Sequence, residues 1–225
     1  METLSKILTA LIIITAVALV LFVAFIIYTA VQKKKKTEAL FNSKKARGEG
    51  FVPSLIKINF PNAKVIRRAE LQVPNGQGGF SSAPADLILI ETCGIVVMKL
   101  CGESGAVDNP ENGAWTVTGK NGSFSMPNPI DANQPAVQAI TSLLNDEAIY
   151  NVPIYNVAVF YGKKAVYRNR SPKALTAKSL LTTLKDLNQE KFLSKSEISD
   201  TYTAIRRHLP RQEATKQKVS VRKNK

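Results

Sequence analysis

Asp86-Leu-Ile-Leu-Ile-Glu-Thr-Cys-Gly-Ile-Val-Val-Met-Lys-Leu-Cys101 decides how this chain folds. Residues 87–90 and 95–97 are apolar runs rich in β-branched side chains, and Gly94 stands between them, so the stretch reads as two buried strands joined by a turn. A four-residue turn over 91–94 sets Ile90 opposite Ile95, and the same register carries Asp86 opposite Lys99. Cross-strand partners have Cβ atoms about 5 Å apart on one face of the sheet. Alternation adds Cys101, two residues beyond Lys99, to that face. A carboxylate, an ammonium and a thiol therefore meet at the rim of an apolar hairpin.

Outward from the hairpin, residues 64–73 alternate as a strand through Val65, Leu71 and Val73. Residues 75–79, with Ser81 and Ser82, read as a flexible loop; their glycines lack the strand–Gly-x-Gly-x-x-Gly–helix setting of a phosphate cradle. Residues 102–113 form a second loop, and 115–126 a small hairpin turning at Asn121-Gly122, with Trp115 as a core anchor. A helix is expected from near Pro135, with Val137, Ile140, Leu143 and Leu144 on one face. Residues 154–161 are a buried strand. Ser171-Pro172 is expected to start a helix striped by Leu175, Leu180, Leu181, Leu184 and Leu187. Ser194-x-x-Glu197 is a capping box ahead of Ile198, Ile205 and Leu209. Pro53 interrupts the first core helix unless that helix begins there. The chain has no internal repeat.

Residues 7–31 contain no charge, and at 1.5 Å per residue they outrun the ~30 Å of bilayer hydrocarbon. A cleaved signal peptide is the rival, with Lys6 and Tyr28-Thr29-Ala30 as its features, but the apolar run is too long for one. Lys33, Lys34, Lys35 and Lys36 follow immediately, then Lys44, Lys45 and Arg47. Positive residues stay on the cytoplasmic side, so the expectation is a single-pass protein of the cell (plasma or inner) membrane, N-terminus outside, C-terminal domain cytoplasmic. The formal net charge of +14 is uneven. Residues 33–68 carry eleven Lys or Arg against two acids, 69–165 four against nine, and 166–225 fifteen against five. Basic flanks on an acidic middle suit a lipid bilayer with anionic headgroups, or DNA. Lys33, Lys34, Lys35, Lys36, Arg206, Arg207 and Arg211 are the candidate nucleic-acid or lipid contacts. No aromatic residue follows Tyr202, so the C-terminal tail offers no base-stacking platform.

The Ala85-Asp86 pair, the apolar strand after it, Gly94-Ile95-Val96-Val97, Trp115 and Asn128-Pro129 resemble the nuclease-related domain (NERD) family over about residues 45–209. That family is similar to the restriction-endonuclease-like superfamily, whose sites carry an Asp and then Glu-x-Lys on the next strand. The resemblance implies a magnesium-dependent nuclease fold with Asp86 as the first acid. The second acid falls on Lys99 and the family lysine on Cys101; the first-helix Gly-Glu matches Gly48-Glu49, and a later Gln falls on Ala132. Two carboxylates side by side persist by holding a divalent cation, which activates water for phosphodiester attack. Lys99 in place of the second acid implies an Asp86–Lys99 ion pair in the metal's space. Glu103 offers a relocation: a strand continued past Cys101 puts Lys99, Cys101 and Glu103 on one face beside Asp86. Catalytic candidates are thus Asp86, Lys99 and Glu103, with no metal expected, or Mg2+ held at Asp86 if the protein is active.

Other constellations are sparse. His208 is the one histidine, which leaves little for a His-based site. Cys93 at the turn and Cys101 along the return strand lie roughly 26 Å apart at 3.3 Å per residue, beyond the ~7 Å a disulfide allows, so two free thiols are expected. Lys99 could lower the Cys101 pKa, but no base accompanies it. The expected architecture is α/β: an N-terminal transmembrane helix, then a restriction-endonuclease-like α/β domain with a central mixed sheet flanked by helices. Its divisions are a signal anchor at 1–32, a basic stem at 33–47, the nuclease-related domain at 48–209 and a basic tail at 210–225. The functional expectation is a membrane-anchored, catalytically degenerate nucleic-acid-binding module linked to DNA processing. The alternatives are a metal-dependent nuclease with a relocated site and a membrane-side structural or partner-docking protein.

Overall fold

The structure is a computed structural model that describes residues 2–43, 48, 50–74, 78–162, 164–169 and 171–210. Glu49, Arg211 and the remainder of the basic tail lie outside the described residues.

Helix α1 (Glu2–Asn42) runs unbroken through the apolar segment and on through the four lysines. Its Ile13–Asn42 portion is long and apolar enough to cross a membrane. The 32/33 division therefore marks a change of composition within one helix. Helix α2 (Phe51–Asn59) carries Pro53 as its third residue, in the first turn, where no helical partner awaits its missing N–H.

The main sheet has the order β1-β2-β3-β7-β9, from β1 (Lys64–Pro74), β2 (Phe80–Glu91), β3 (Gly94–Cys101), β7 (Ile154–Phe160) and β9 (Ala174–Thr176). The first three strands are antiparallel, and β3, β7 and β9 are parallel, giving a mixed sheet. Ile90 pairs with Ile95, as the two apolar runs require, and Glu91 also pairs with Gly94. The turn is therefore the two residues Thr92 and Cys93, with Gly94 at φ +116° carrying the chain round. Strand β2 absorbs Ser81 and Ser82, expected in a loop, because β1 is long enough to pair with them.

Because side chains alternate, each face of this sheet has its own core. Ile88, Ile90, Ile95 and Val97 pack against α3 (Pro129–Asp146) and α5 (Lys195–Arg207). Leu87, Leu89, Val96 and Met98 pack against α2 and α4 (Ala177–Leu187), and Leu40 and Phe41 of α1 join them. Helix α3 begins at Pro129, six residues earlier than expected, because Asn128 caps it by accepting from Ile130 N; Pro135 lies inside it. Helix α4 begins at Ala177, not at Ser171-Pro172, since Thr176 and Ser179 form a capping box and Leu175 belongs to β9. The capping box at Ser194 and Glu197 is present.

A second sheet, β6-β5-β4-β8, adjoins the first. It comprises β4 (Ala106–Asp108), inside the stretch expected to be loop, β5 (Trp115–Gly119), β6 (Gly122–Met126) and β8 (Val166–Tyr167). Gly119 pairs with Gly122, so Lys120-Asn121 makes the β5–β6 turn. Trp115 is buried as a core anchor, stacked on Phe160 with centroids 6.2 Å apart.

Candidate functional site

Asp86 occupies the point where β2 parts from both neighbours. The β2–β3 pairing ends at Leu87 and Met98, which leaves Lys99 across from Asp86. On the other side the ladder runs Arg67–Leu87, then Ala69–Ala85, and skips the position where Arg68 faces Asp86. Arg68 has φ +48°, left-handed for a non-glycine residue. That kink shifts the alternation of β1, so that Ile66 and Ala69 are buried while Arg67 and Arg68 are both exposed. Two consecutive arginines are thereby delivered to the gap beside the carboxylate.

The carboxylate is fully engaged. Lys99 Nζ donates to Asp86 Oδ1 and lies equally close to Oδ2, 3.2 Å in each case. Oδ2 also accepts from the backbone N–H of Leu100 at 2.9 Å. The side chain thus replaces the ladder acceptor that β3 loses where the strands diverge, which fixes the ion pair in one orientation. Pro53, Arg67, Arg68, Asp86, Lys99, Leu100 and Tyr161 line a pocket of about 270 Å³. Three cations against one carboxylate make it electropositive, and its size suits a phosphate group.

Cys101 and Glu103 stand just beyond. Cys101 is buried with Trp115, Ala158 and Phe160. Burial first, then the Glu103 and Asp86 charges, push its thiol up to about 12 against the opposing pull of Lys99. A thiol so held is packing, not a nucleophile at neutral pH. Both cysteines are free. Strand β3 stops at Cys101, so Glu103 lies in the following loop and is not among the residues lining the Asp86 pocket. Its Oε2 is nonetheless buried without a hydrogen-bond partner.

Sequence reasoning missed two features. One is the Arg67-Arg68 pair, whose signal was its register opposite Asp86. The other is a polar bridge from α3 to the sheet: buried Asn133 donates to Val97 O (3.1 Å) and to Asn156 Oδ1 (2.8 Å), and Asn156 donates to Ile130 O and Gln134 Oε1. The expected Ala132 position faces outward and Asn133 reaches the middle strand instead. Arg207 and His208 bind Glu147 at 2.9 and 2.7 Å, tying α5 to the end of α3. Arg206 and Lys34, Lys35 and Lys36 are exposed, while Lys33 is half-buried.

A metal centre at Asp86 does not fit this donor set. Both carboxylate oxygens already face an ammonium or an amide, and the other charged side chains of the pocket are cations. Among the described residues no group of three or more His, Cys, Asp or Glu side chains converges.

A mixed sheet between helical layers, with an acid on its second strand facing the third, is the layout of a restriction-endonuclease-like domain. The chain belongs to the nuclease-related domain (NERD) family, whose family model matches residues 44–161. No curated protein and no solved structure matches it.

Proposed function

We propose that this is a single-pass, membrane-anchored NERD protein whose cytoplasm-facing domain binds nucleic-acid phosphate without cleaving it. The observation that carries this reading is the closed Asp86–Lys99–Leu100 arrangement inside a pocket shared with Arg67 and Arg68. Lys99 supplies positive charge where a nuclease needs a second metal-binding acid, so the site favours an anion over a divalent cation. The unbroken apolar helix supports anchorage, and the lysines after it support the cytoplasmic orientation.

The test is the full chain in neutral micelles with supercoiled and linear DNA, with magnesium or manganese, beside Asp86→Ala and Arg67→Gln. The expected result is a mobility shift without nicking. Binding weakens as salt rises, with a slope of log affinity against log salt of about −0.9 for each phosphate contacted. Arg67→Gln lowers that slope by about one contact. Cleavage that disappears in Asp86→Ala refutes the reading.

Glu103 favours a second reading, a metal-dependent nuclease with a relocated acid, because its buried Oε2 lacks a partner. That reading predicts nicking lost in Glu103→Gln as well. A membrane-side docking protein predicts neither binding nor nicking.

A further inference from the structure

The groove between α1 and α4, at the end of the apolar run, has a composition that the Asp86 pocket does not explain. It measures about 750 Å³, and Lys33, Lys34, Lys178 and Lys185 converge on it from the two helices, with Glu38 the one acid in its lining. Its apolar wall includes Ala30, Phe41 and Leu181. A neighbouring groove on the other side of α1 adds Lys36 and Lys57, with Tyr28 at its apolar end. Among the described residues the ion pairs Asp86–Lys99 and Glu147–Arg207–His208 lie elsewhere and involve none of these lysines.

The height of the groove follows from helix geometry. The uncharged run ends at Val31, and Lys33 lies about 3 Å further along the axis. Lys33 Nζ donates to the carbonyl of Asn59, the last residue of α2, and Asn59 Nδ2 donates to Thr37 Oγ1 at 3.2 Å. The folded domain therefore begins within one helical turn of the apolar run, with no spacer. The headgroup layer on each side of the hydrocarbon is about 5–8 Å deep, which places Lys33 and Lys34 in it, and Lys178 and Lys185 line the same groove.

We infer that this groove is a binding site for an anionic phospholipid, the four lysines taking the headgroup phosphate and the Ala30–Phe41–Leu181 wall taking the adjoining glycerol and acyl carbons. The inference rests on the membrane-anchored reading above. Charge complementarity alone would suit a nucleic acid too, but a duplex cannot enter a groove whose floor reaches Ala30 of the apolar run. Lys178 is the second residue of α4 and Lys185 the third from its end, and both belong to the folded domain, so the site joins domain to bilayer, which a stem of lysines by itself does not.

The test uses the full chain in neutral detergent, with dioctanoyl-phosphatidylglycerol, dioctanoyl-phosphatidylcholine or inorganic phosphate added and bound ligand counted by native mass spectrometry. Phosphatidylglycerol is expected to be retained over phosphatidylcholine, with retention falling tenfold or more in Lys178→Gln/Lys185→Gln, at about fivefold per lysine. Lys178→Arg/Lys185→Arg restores it, and Lys120→Gln/Lys164→Gln, in a separate groove, leaves it unchanged. Equal retention of the two lipids, no loss in the double Gln variant, or displacement by equimolar inorganic phosphate overturns the inference. Alkaline carbonate extraction of membranes separates the two levels. If the wild-type chain is extracted, the anchored reading itself fails; if it stays in the bilayer without lipid selectivity, only the headgroup site fails.

Discussion

Removing Asp86 should cost far more than removing its ionic partner. Lys99 and Asp86 are each about one-third exposed, at 34% and 31% of side-chain area, so solvent screening holds their ion pair to about 0.2–1 kcal/mol. The bond from Leu100 N to Oδ2 is a different matter, since a hydrogen bond to a charged group contributes about 1.5–3 kcal/mol. Asp86→Ala removes both and leaves the Leu100 amide without its acceptor, for a total of about 2–4 kcal/mol. Lys99→Gln removes only the pair and costs at most about 1 kcal/mol. At this chain length each kcal/mol moves the melting midpoint by about 2–4 °C, so the two variants separate by several degrees. Trp115, the single tryptophan, is stacked on Phe160 beside Cys101, and its fluorescence on heating the full chain in neutral micelles reads the transition. Equal losses for the two variants, or a larger loss for Lys99→Gln, refute the view that the carboxylate's main structural duty is to the β3 backbone. A double variant no worse than Asp86→Ala completes the cycle.

Three further outcomes follow from the geometry. Gly94→Ala is expected to destabilise by about 2–4 kcal/mol in the same melt, from left-handed strain of order 1–3 kcal/mol and a displaced hydrogen bond. Its new Cβ collides with the Pro153 carbonyl that accepts Ile95 N at 2.9 Å; an unchanged midpoint contradicts the two-residue turn. Burial pushes Cys93 up to about 11 and Cys101 to about 12, so a thiol reagent at pH 8 should label neither until denaturant is added. Fast labelling of the folded chain argues against the packed hairpin. Hydrogen bonding from His208 first, then the Arg207 charge, holds the Glu147 carboxyl below its ordinary value near 4.5. A depressed carboxylate stabilises above the unfolded value and loses that contribution as pH falls through the folded one. The midpoint gap between wild type and Glu147→Gln should therefore close as pH falls below about 4.5; a gap that widens in acid contradicts the assignment.

The register of the central hairpin was legible because β-branched runs of similar length flank a glycine, and any one-residue slip would send Ile88, Ile90, Ile95 and Val97 to the wrong face. The same register made Asp86–Lys99 legible before any coordinates. Helix starts were read less well. Ser171-Pro172 and Pro135 are local signals, and stronger ones override them: Asn128 caps α3 and the Thr176–Ser179 box caps α4. Strand β4 was missed because three residues next to Gly105 carry no periodicity; its partners β5 and β8 make it a strand. Arg67 and Arg68 were visible as letters, but their shared exposure depends on a backbone kink that composition does not encode. Asn133 lies ahead of the helix start expected near Pro135, and only the packing of α3 across β3 and β7 turns it inward.

Continuity of α1 has a mechanical consequence. A helix of 41 residues joined to the domain through Lys33, Thr37 and the Phe41–Phe51 edge contact behaves as a rigid shaft. Torque applied to the shaft is passed to α2, whose other end carries Pro53 at the wall of the Asp86 pocket, about 9 Å along the axis. The pocket therefore keeps a fixed compass bearing around the shaft. On the membrane-anchored reading proposed above, anything that pairs or rotates two such shafts within one bilayer would aim two pockets at once.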